Sequence, residues 1–217
     1  MVASPLMAIV AALFPIPKIA LLPLLILLVW KATPFAFNLV LAAAFVVAVR
    51  ELRALVSNIA VGLLLVVAYL AFPISLLSVI RAEYGPGALM AMIGLIVVSD
   101  SAQYYTGRAF GRRKLAPAIS PKKTVEGAIG GAVVATAAGV GLLHLWVPAL
   151  SPVLAAGASF VMAVAGMAGD LFESWLKRRV GVKDSGALIP GHGGILDRID
   201  SWLFAAPVFW AVLRLFA

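Results

Sequence analysis

Long apolar runs recur along this chain, at about residues 6–30, 34–49, 57–80, 87–107, 127–147, 152–172 and 199–216. A bilayer core is crossed by about 20 apolar residues in a helix, and a spanning helix satisfies its own backbone hydrogen bonds where no water can. The chain is 64% hydrophobic with a mean hydropathy of +1.10, against roughly 45–50% apolar residues in soluble domains. The expected fold is therefore all-α, a polytopic integral membrane helical bundle of about seven transmembrane helices. With 217 residues, too little chain remains for a separate soluble domain, so residues 1–217 read as a single transmembrane domain.

Pro15, Pro17, Lys18 and Pro23 interrupt the first run, which is expected to kink or divide, leaving the count there open by one. Its first charge is Lys18. Without a basic start or a small-residue cleavage site, it reads as a retained span rather than a signal peptide. Cysteine is absent, which excludes disulfides and thiolate metal sites.

A net charge of +8 raises nucleic acid as a partner, but the bases lie in short loops between apolar runs. Anionic headgroups and the positive-inside preference account for that placement, so no nucleic acid is expected. Arg108, Arg112, Arg113, Lys114, Lys122 and Lys123 fill one loop; Lys177, Arg178, Arg179, Lys183 and Arg198 fill another. Both belong in the cytoplasm, with the neutral connection at 148–152 on the far side. Seven spans then put the N-terminus inside and the C-terminus outside.

Gly127, Gly130 and Gly131 open the fifth run, and Gly157, Gly166 and Gly169 punctuate the sixth. Such residues let helix backbones approach closely, and packing is their expected role. No internal repeat suggests a transporter of two halves.

Of the nine acidic residues, only Glu51 and Glu83 precede residue 100. Chemistry is therefore expected in residues 87–217, with cytoplasmic loops at 108–126 and 173–198, while residues 1–86 supply N-terminal spans. Asp100 lies within an apolar run, and helical spacing puts it on one face with Tyr104 and Arg108. An intramembrane carboxylate marks a functional site by default; a buried pair with Arg108 or a neighbouring helix is the competing reading.

Asp170 is followed on its helix face by Glu173, Ser174 and Lys177, and Asp197 and Asp200 repeat the three-residue spacing further on. Hard oxygen ligands from two helix ends could converge on one Mg²⁺, which keeps waters for a phosphate to displace. Solvated interfacial charge is the alternative, and it suits Glu173 and Asp184 better than Asp170 and Asp197. Lys122, Lys123, Lys177, Arg178 and Lys183 could neutralise a polyphosphate, although cytoplasmic loops are basic in any case.

The turn Pro190-Gly191-His192-Gly193-Gly194 could bring backbone amides to an anion. It is no Walker loop. His192 has no second imidazole or thiolate nearby, so a phosphate contact and a structural hydrogen bond both remain open. His144, beside Trp146, is expected at the interface.

These residues resemble the phosphatidate cytidylyltransferase, or CDP-diglyceride synthetase, family. Its signature is matched by Ser174, Leu176, Lys177, Arg178, Lys183, Asp184, Gly186, Ile189, Pro190, His192, Gly193, Gly194, Asp197, Arg198, Ile199 and Asp200, each at its spacing. Asp100-Ser101 through Gly111, Ser120 through Gly127 and Gly169 through Ser174 resemble further blocks, so the likeness covers about residues 97–205. Members are usually longer at the N-terminus, and Gln103 stands where a smaller residue is usual.

The resemblance implies transfer of CMP from CTP to phosphatidic acid, with CDP-diacylglycerol and pyrophosphate as products. It implies Mg²⁺ held by Asp170, Asp197 and Asp200, with room for a second cation, and catalytic roles for Asp100, Asp170, Asp197, Asp200 and Lys177. Substrate would meet Ser120, Lys122, Lys123, Thr124, Ser174, Arg178, Lys183, His192, Gly193, Gly194 and Arg198. It also implies a homodimer in the cell's inner membrane, with the site facing the cytoplasm. Two other readings compete: a CTP-dependent transferase for another lipid phosphate, and a transporter. The transporter would spread polar residues through several spans, whereas here the first three carry almost none.

Overall fold

The computed structural model describes residues 17–186 and 193–217, with side chains from residue 22 onward. The early part of the first apolar run and His192 therefore lie outside the described residues. Helices α1 (Pro17–Lys31), α2 (Pro34–Leu55) and α3 (Ile59–Leu65) come first, and a π-helical turn at Val66–Ala71 leads into α4 (Phe72–Phe110). Strands β1 (Lys114–Ala116) and β2 (Ser120–Thr124) follow, then α5 (Val125–Trp146), α6 (Pro152–Arg179) and α7 (Leu196–Phe216).

Polar residues at the boundaries explain where several helices start. Thr33 Oγ1 accepts from Ala36 N at 3.2 Å, Asn58 Oδ1 from Ala60 N at 3.0 Å, and Thr124 Oγ1 from Gly127 N at 3.1 Å. Each satisfies an amide that has no partner inside its helix. Pro34 and Pro152 sit in the first turns of α2 and α6, where a missing N–H costs nothing.

Five helical stretches are long and apolar enough to cross a membrane, and α1 contributes a shorter apolar helix. The expected count of seven is not reached by that measure, because Ile59–Phe110 runs as one stretch of 52 residues. At 1.5 Å per residue it would be about 78 Å long, more than twice the ~30 Å hydrocarbon core. Gly85 breaks it, with φ 86° and ψ 167°, a conformation that glycine adopts without a Cβ penalty.

A departure from the all-α expectation lies between α4 and α5. There β1 and β2 pair antiparallel, Lys114 opposite Thr124 and Ala116 opposite Ser120, with an irregularity between. The ribbon is tied down at both ends. Glu126 accepts from the backbone amides of Arg112 and Arg113 at 3.0 and 3.2 Å, and Arg178 Nε donates to Ile119 O at 3.2 Å.

The bundle has two unlike ends. At one, Trp30 packs edge-on against Trp146 with centroids 4.9 Å apart, and Arg81 donates to Val29 O and Ala32 O at 2.9 and 2.5 Å. Arg81 thereby closes the C-terminal carbonyls of α1. The other end gathers the C-terminal end of α2 and the starts of α5 and α7, with Glu51, Asp170, Glu173, Asp197 and Asp200.

Close helix crossings connect the ends. A Cβ on Gly127 would sit 3.1 Å from Gly107 Cα, and one on Gly169 would sit 2.5 Å from Asp200 O. Packing is thus the role of these two glycines. Gly169→Ala should cost about 1–3 kcal/mol of unfolding free energy in mixed micelles, the range for overpacking. Gly157→Ala, where nothing lies within 4 Å of the new Cβ, should change it by less than about 0.5 kcal/mol. Equal effects would contradict the close crossing.

Candidate functional site

A cavity of about 410 Å³ opens at the polar end of the bundle. From α4 it takes Asp100, Gln103, Tyr104 and Arg108; from the ribbon, Lys122, Lys123 and Thr124. Helix α6 contributes Asp170 and Lys177, and α7 contributes Asp197, Arg198 and Asp200. Asp197 and Asp200, three residues apart, both line it, as do Asp100, Tyr104 and Arg108 and, on α6, Asp170 and Lys177, whereas Glu173 and Ser174 do not; acids from three helices thus share one space.

Lysines already pair with Asp170 and Asp197. Lys123 Nζ lies 2.7 Å from Asp170 Oδ2, and Ser174 Oγ lies 3.4 Å from Asp170 Oδ1. Lys177, two residues in from the helix end and buried, pairs with Glu173 and stands 2.5 Å from Asp197 Oδ1. The other oxygen of Asp197 accepts from Ser185 N at 3.0 Å, Ser185 Oγ at 2.9 Å and Gly194 N at 2.8 Å. Asp197 is therefore held by four donors, which orients it rigidly.

On α4, Gln103 Nε2 donates to Ser99 Oγ at 3.2 Å and Asp100 Oδ1 at 3.3 Å. Its larger side chain is accommodated where Gly131 leaves space, since a Cβ there would lie 3.3 Å from Gln103 Cδ. Arg108 Nη1 stands 3.4 Å from Tyr104 OH.

Several expected site residues stand elsewhere. Arg178 spends its guanidinium on the carbonyls of Ile119 and Val182, at 3.2 and 2.8 Å, and does not line the cavity. Lys183 is exposed, and Ser120, Ser174, Gly193 and Gly194 are also outside the lining. The amide of Gly194 faces the Asp197 carboxylate rather than an open anion site.

Glu173 corrects the expectation of a solvated interfacial charge: it is 1% exposed. Lys177 takes its Oε2, and its Oε1 has no partner among the described residues. Sequence reasoning also passed over Glu51, whose carboxylate reaches the start of α7 across 145 residues of chain. The one available signal was a lone acid at the end of an apolar helix.

Fold and cavity define a multi-pass helical membrane protein with a charged site at one end. The chain belongs to the cytidylyltransferase family, whose model matches residues 4–216. Among curated relatives, the phosphatidate cytidylyltransferase of Brucella suis biovar 1 (strain 1330) is 41% identical over 155 residues, 69% of this chain and 56% of its own. That of Bacillus subtilis (strain 168) is 43% identical over 138 residues, 62% of this chain and 50% of its own. Uncharacterized protein YnbB of Escherichia coli (strain K12) is 45% identical over 130 residues, 59% of this chain and 43% of its own. The chain spans about half the length of the curated relatives it matches.

The clamp on Lys177 generates a stability prediction. Lys177→Met leaves two acids without their buried cation and should cost about 3–5 kcal/mol of unfolding free energy in mixed micelles. Adding Glu173→Gln should restore part of that loss. A single variant as stable as the parent would contradict the clamp.

Proposed function

We propose that the chain is a Mg²⁺-dependent CTP:phosphatidate cytidylyltransferase, which transfers CMP from CTP to phosphatidic acid and releases CDP-diacylglycerol and pyrophosphate. The carrying observation is the cavity where acids and cations from four elements meet, in a chain of the cytidylyltransferase family. Relatives named phosphatidate cytidylyltransferase, at 41–43% identity, support the choice of lipid.

The reaction needs little acid–base chemistry. A phosphate monoester is anionic near neutral pH, its second pKa being about 6, so its oxygen attacks without a strong general base. A bond forms from that oxygen to the α-phosphorus of CTP, and the bond from that phosphorus to the bridging oxygen breaks. Pyrophosphate leaves with the electron pair. The chain's work is to align the two phosphates and to neutralise the charge that gathers on them.

Lys122 and Arg108 stand at the exposed side of the cavity, Lys123 is half-buried, and Lys177 and Arg198 are buried. In this reading Lys123 leaves Asp170 for the triphosphate. Arg198 serves the same charge, while Lys177 keeps Asp197 in place. Asp100, held by Gln103, shapes the wall opposite the acids of α6 and α7.

The donor set fits Mg²⁺. This ion takes one or two carboxylates and completes its shell with waters and substrate phosphates, and the cavity offers four carboxylates. Asp170 would hold it, with a second oxygen from Asp197 or Asp200, and the remaining acids leave room for a second cation. No group of three or more metal-ligating side chains stands ready among the described residues, so the nucleotide would complete the shell. Bound there, Mg²⁺ would supply charge neutralisation on the triphosphate.

Further features belong to the same proposal. Counting the break at Gly85 as a return gives seven crossings, at 17–31, 34–55, 59–84, 86–110, 125–146, 152–179 and 196–216. The bases at the polar end support a cytoplasmic site in the inner membrane, and the family resemblance supports a homodimer. Asp170, Asp197 and Asp200 collect at one end rather than along the spans, which favours a transferase over a transporter.

Proteoliposomes containing phosphatidate test the reading. CDP-lipid should form only with CTP and phosphatidate and should stop with EDTA. Asp170→Asn should lower turnover by about 10²-fold, the scale of one lost charge-stabilising contact, and raise the Mg²⁺ requirement. Near-normal rates in Asp170→Asn and Asp197→Asn would overturn the metal assignment.

A further inference from the structure

Glu51 is the carboxylate that the composition of the chain left without a purpose. It lies four residues before the end of α2, is 8% exposed, and stands in the N-terminal half, far in sequence from every residue lining the cavity. Its Oε1 accepts from Ile195 N at 3.1 Å, and its Oε2 accepts from Leu196 N at 2.8 Å. These are first-turn amides of α7, which have no carbonyl to bond within their own helix. Ile195 provides no side-chain cap of its own.

The contrast with the other helices makes this more than a cap. Thr33, Asn58, Thr124 and Ser151 cap α2, α3, α5 and α6 from within three residues. A local serine or aspartate would hold the start of α7 equally well. A distant glutamate does something else: it fixes the start of α7 against the end of α2. A buried acid also costs desolvation free energy, which three hydrogen bonds offset.

The third of those bonds leads into the cavity. Ser185 Oγ lies 3.1 Å from Glu51 Oε2 and 2.9 Å from Asp197 Oδ2. One hydroxyl proton thus serves two carboxylates. Asp197 continues the chain to Lys177, and Lys177 to Glu173. Gly186 leaves the space that the carboxylate needs, since a Cβ there would sit 2.7 Å from Glu51 Oε1.

We infer that Glu51 is a positioning residue of the cytidylyl-transfer site: it holds the start of α7 and, through Ser185, sets the Asp197 carboxylate. The inference rests on the proposed function for the reaction it serves, while the contacts themselves do not. Glu51→Gln keeps the shape but replaces one acceptor oxygen with an N–H₂ group that opposes a backbone amide.

Two measurements on the full chain in proteoliposomes test it. In the first, Glu51→Gln should lower kcat about tenfold or more, the scale of a lost buried bond to a charged group, with little change in KM for CTP. The Glu51→Gln/Asp197→Asn double variant should be no slower than Asp197→Asn alone, because the two residues act as a unit. Multiplied losses, or a parental rate in Glu51→Gln, would overturn the inference.

In the second, hydrogen exchange should rise at Ile195 and Leu196 in Glu51→Gln while α5 and α6 keep their protection. Unchanged exchange there would overturn the inference, as would a rise spread through the whole bundle. This arm needs no turnover. If the parent makes no CDP-lipid, the proposed function fails and exchange alone decides on Glu51. Should Glu51→Gln not fold, Ser185→Ala removes only the bridge: kcat should then fall while exchange at Leu196 stays protected, and a parental kcat would count against the bridge.

Discussion

A lysine buried between two acids holds the polar end of this bundle together. Lys177 joins Glu173 on its own helix to Asp197 at the start of α7, and none of the three is freely exposed. Charges taken out of water persist where they pair with one another. Removing either sign would leave the other desolvated without a partner, so the set persists or fails as a unit. The same pairing fixes the crossing of α6 and α7, where Gly169 lets the backbone of Asp200 approach.

From that crossing the site is built outward. Helix α7 starts where Glu51 and Asp197 receive its first amides and that of Gly194. Helix α5 starts where Thr124 ends the ribbon, and Glu126 folds the preceding backbone back upon itself. Lys122 and Lys123 ride on a strand that Arg178 anchors from α6. A basic segment that would be mobile as a free loop is thereby presented to the acids at a fixed place. Rigid support of this kind is what alignment of two phosphates requires.

Much of this was legible in the sequence, because charge in an apolar chain can stand in few places. The spacing of Asp100, Tyr104 and Arg108, and that of Asp170 and Lys177, gave helix faces that the fold turns into one cavity. Other features were hidden for physical reasons. Ser120–Thr124 carries two lysines and a proline, which read as loop; its strand pairing depends on Lys114–Ala116 and on distant anchors. Apolar length stops at Arg81 and Glu83, whereas the backbone continues to Gly85. Glu173 looked solvated because burial by a neighbouring helix leaves no mark in local sequence. Glu51 was invisible for the same reason, its partners lying 134 to 145 residues away. Arg178 matched a signature position, yet its guanidinium serves two backbone carbonyls.

In the proposed function, one cavity brings the α-phosphorus of CTP to a lipid phosphate. Its most direct test follows the label from CTP carrying ³²P at the α-phosphate, mixed with the purified chain in phosphatidate vesicles. Label should enter the lipid one for one with pyrophosphate released, and label at the γ-phosphate should enter pyrophosphate alone. Label appearing as free CMP, or no lipid-bound label at all, would contradict it.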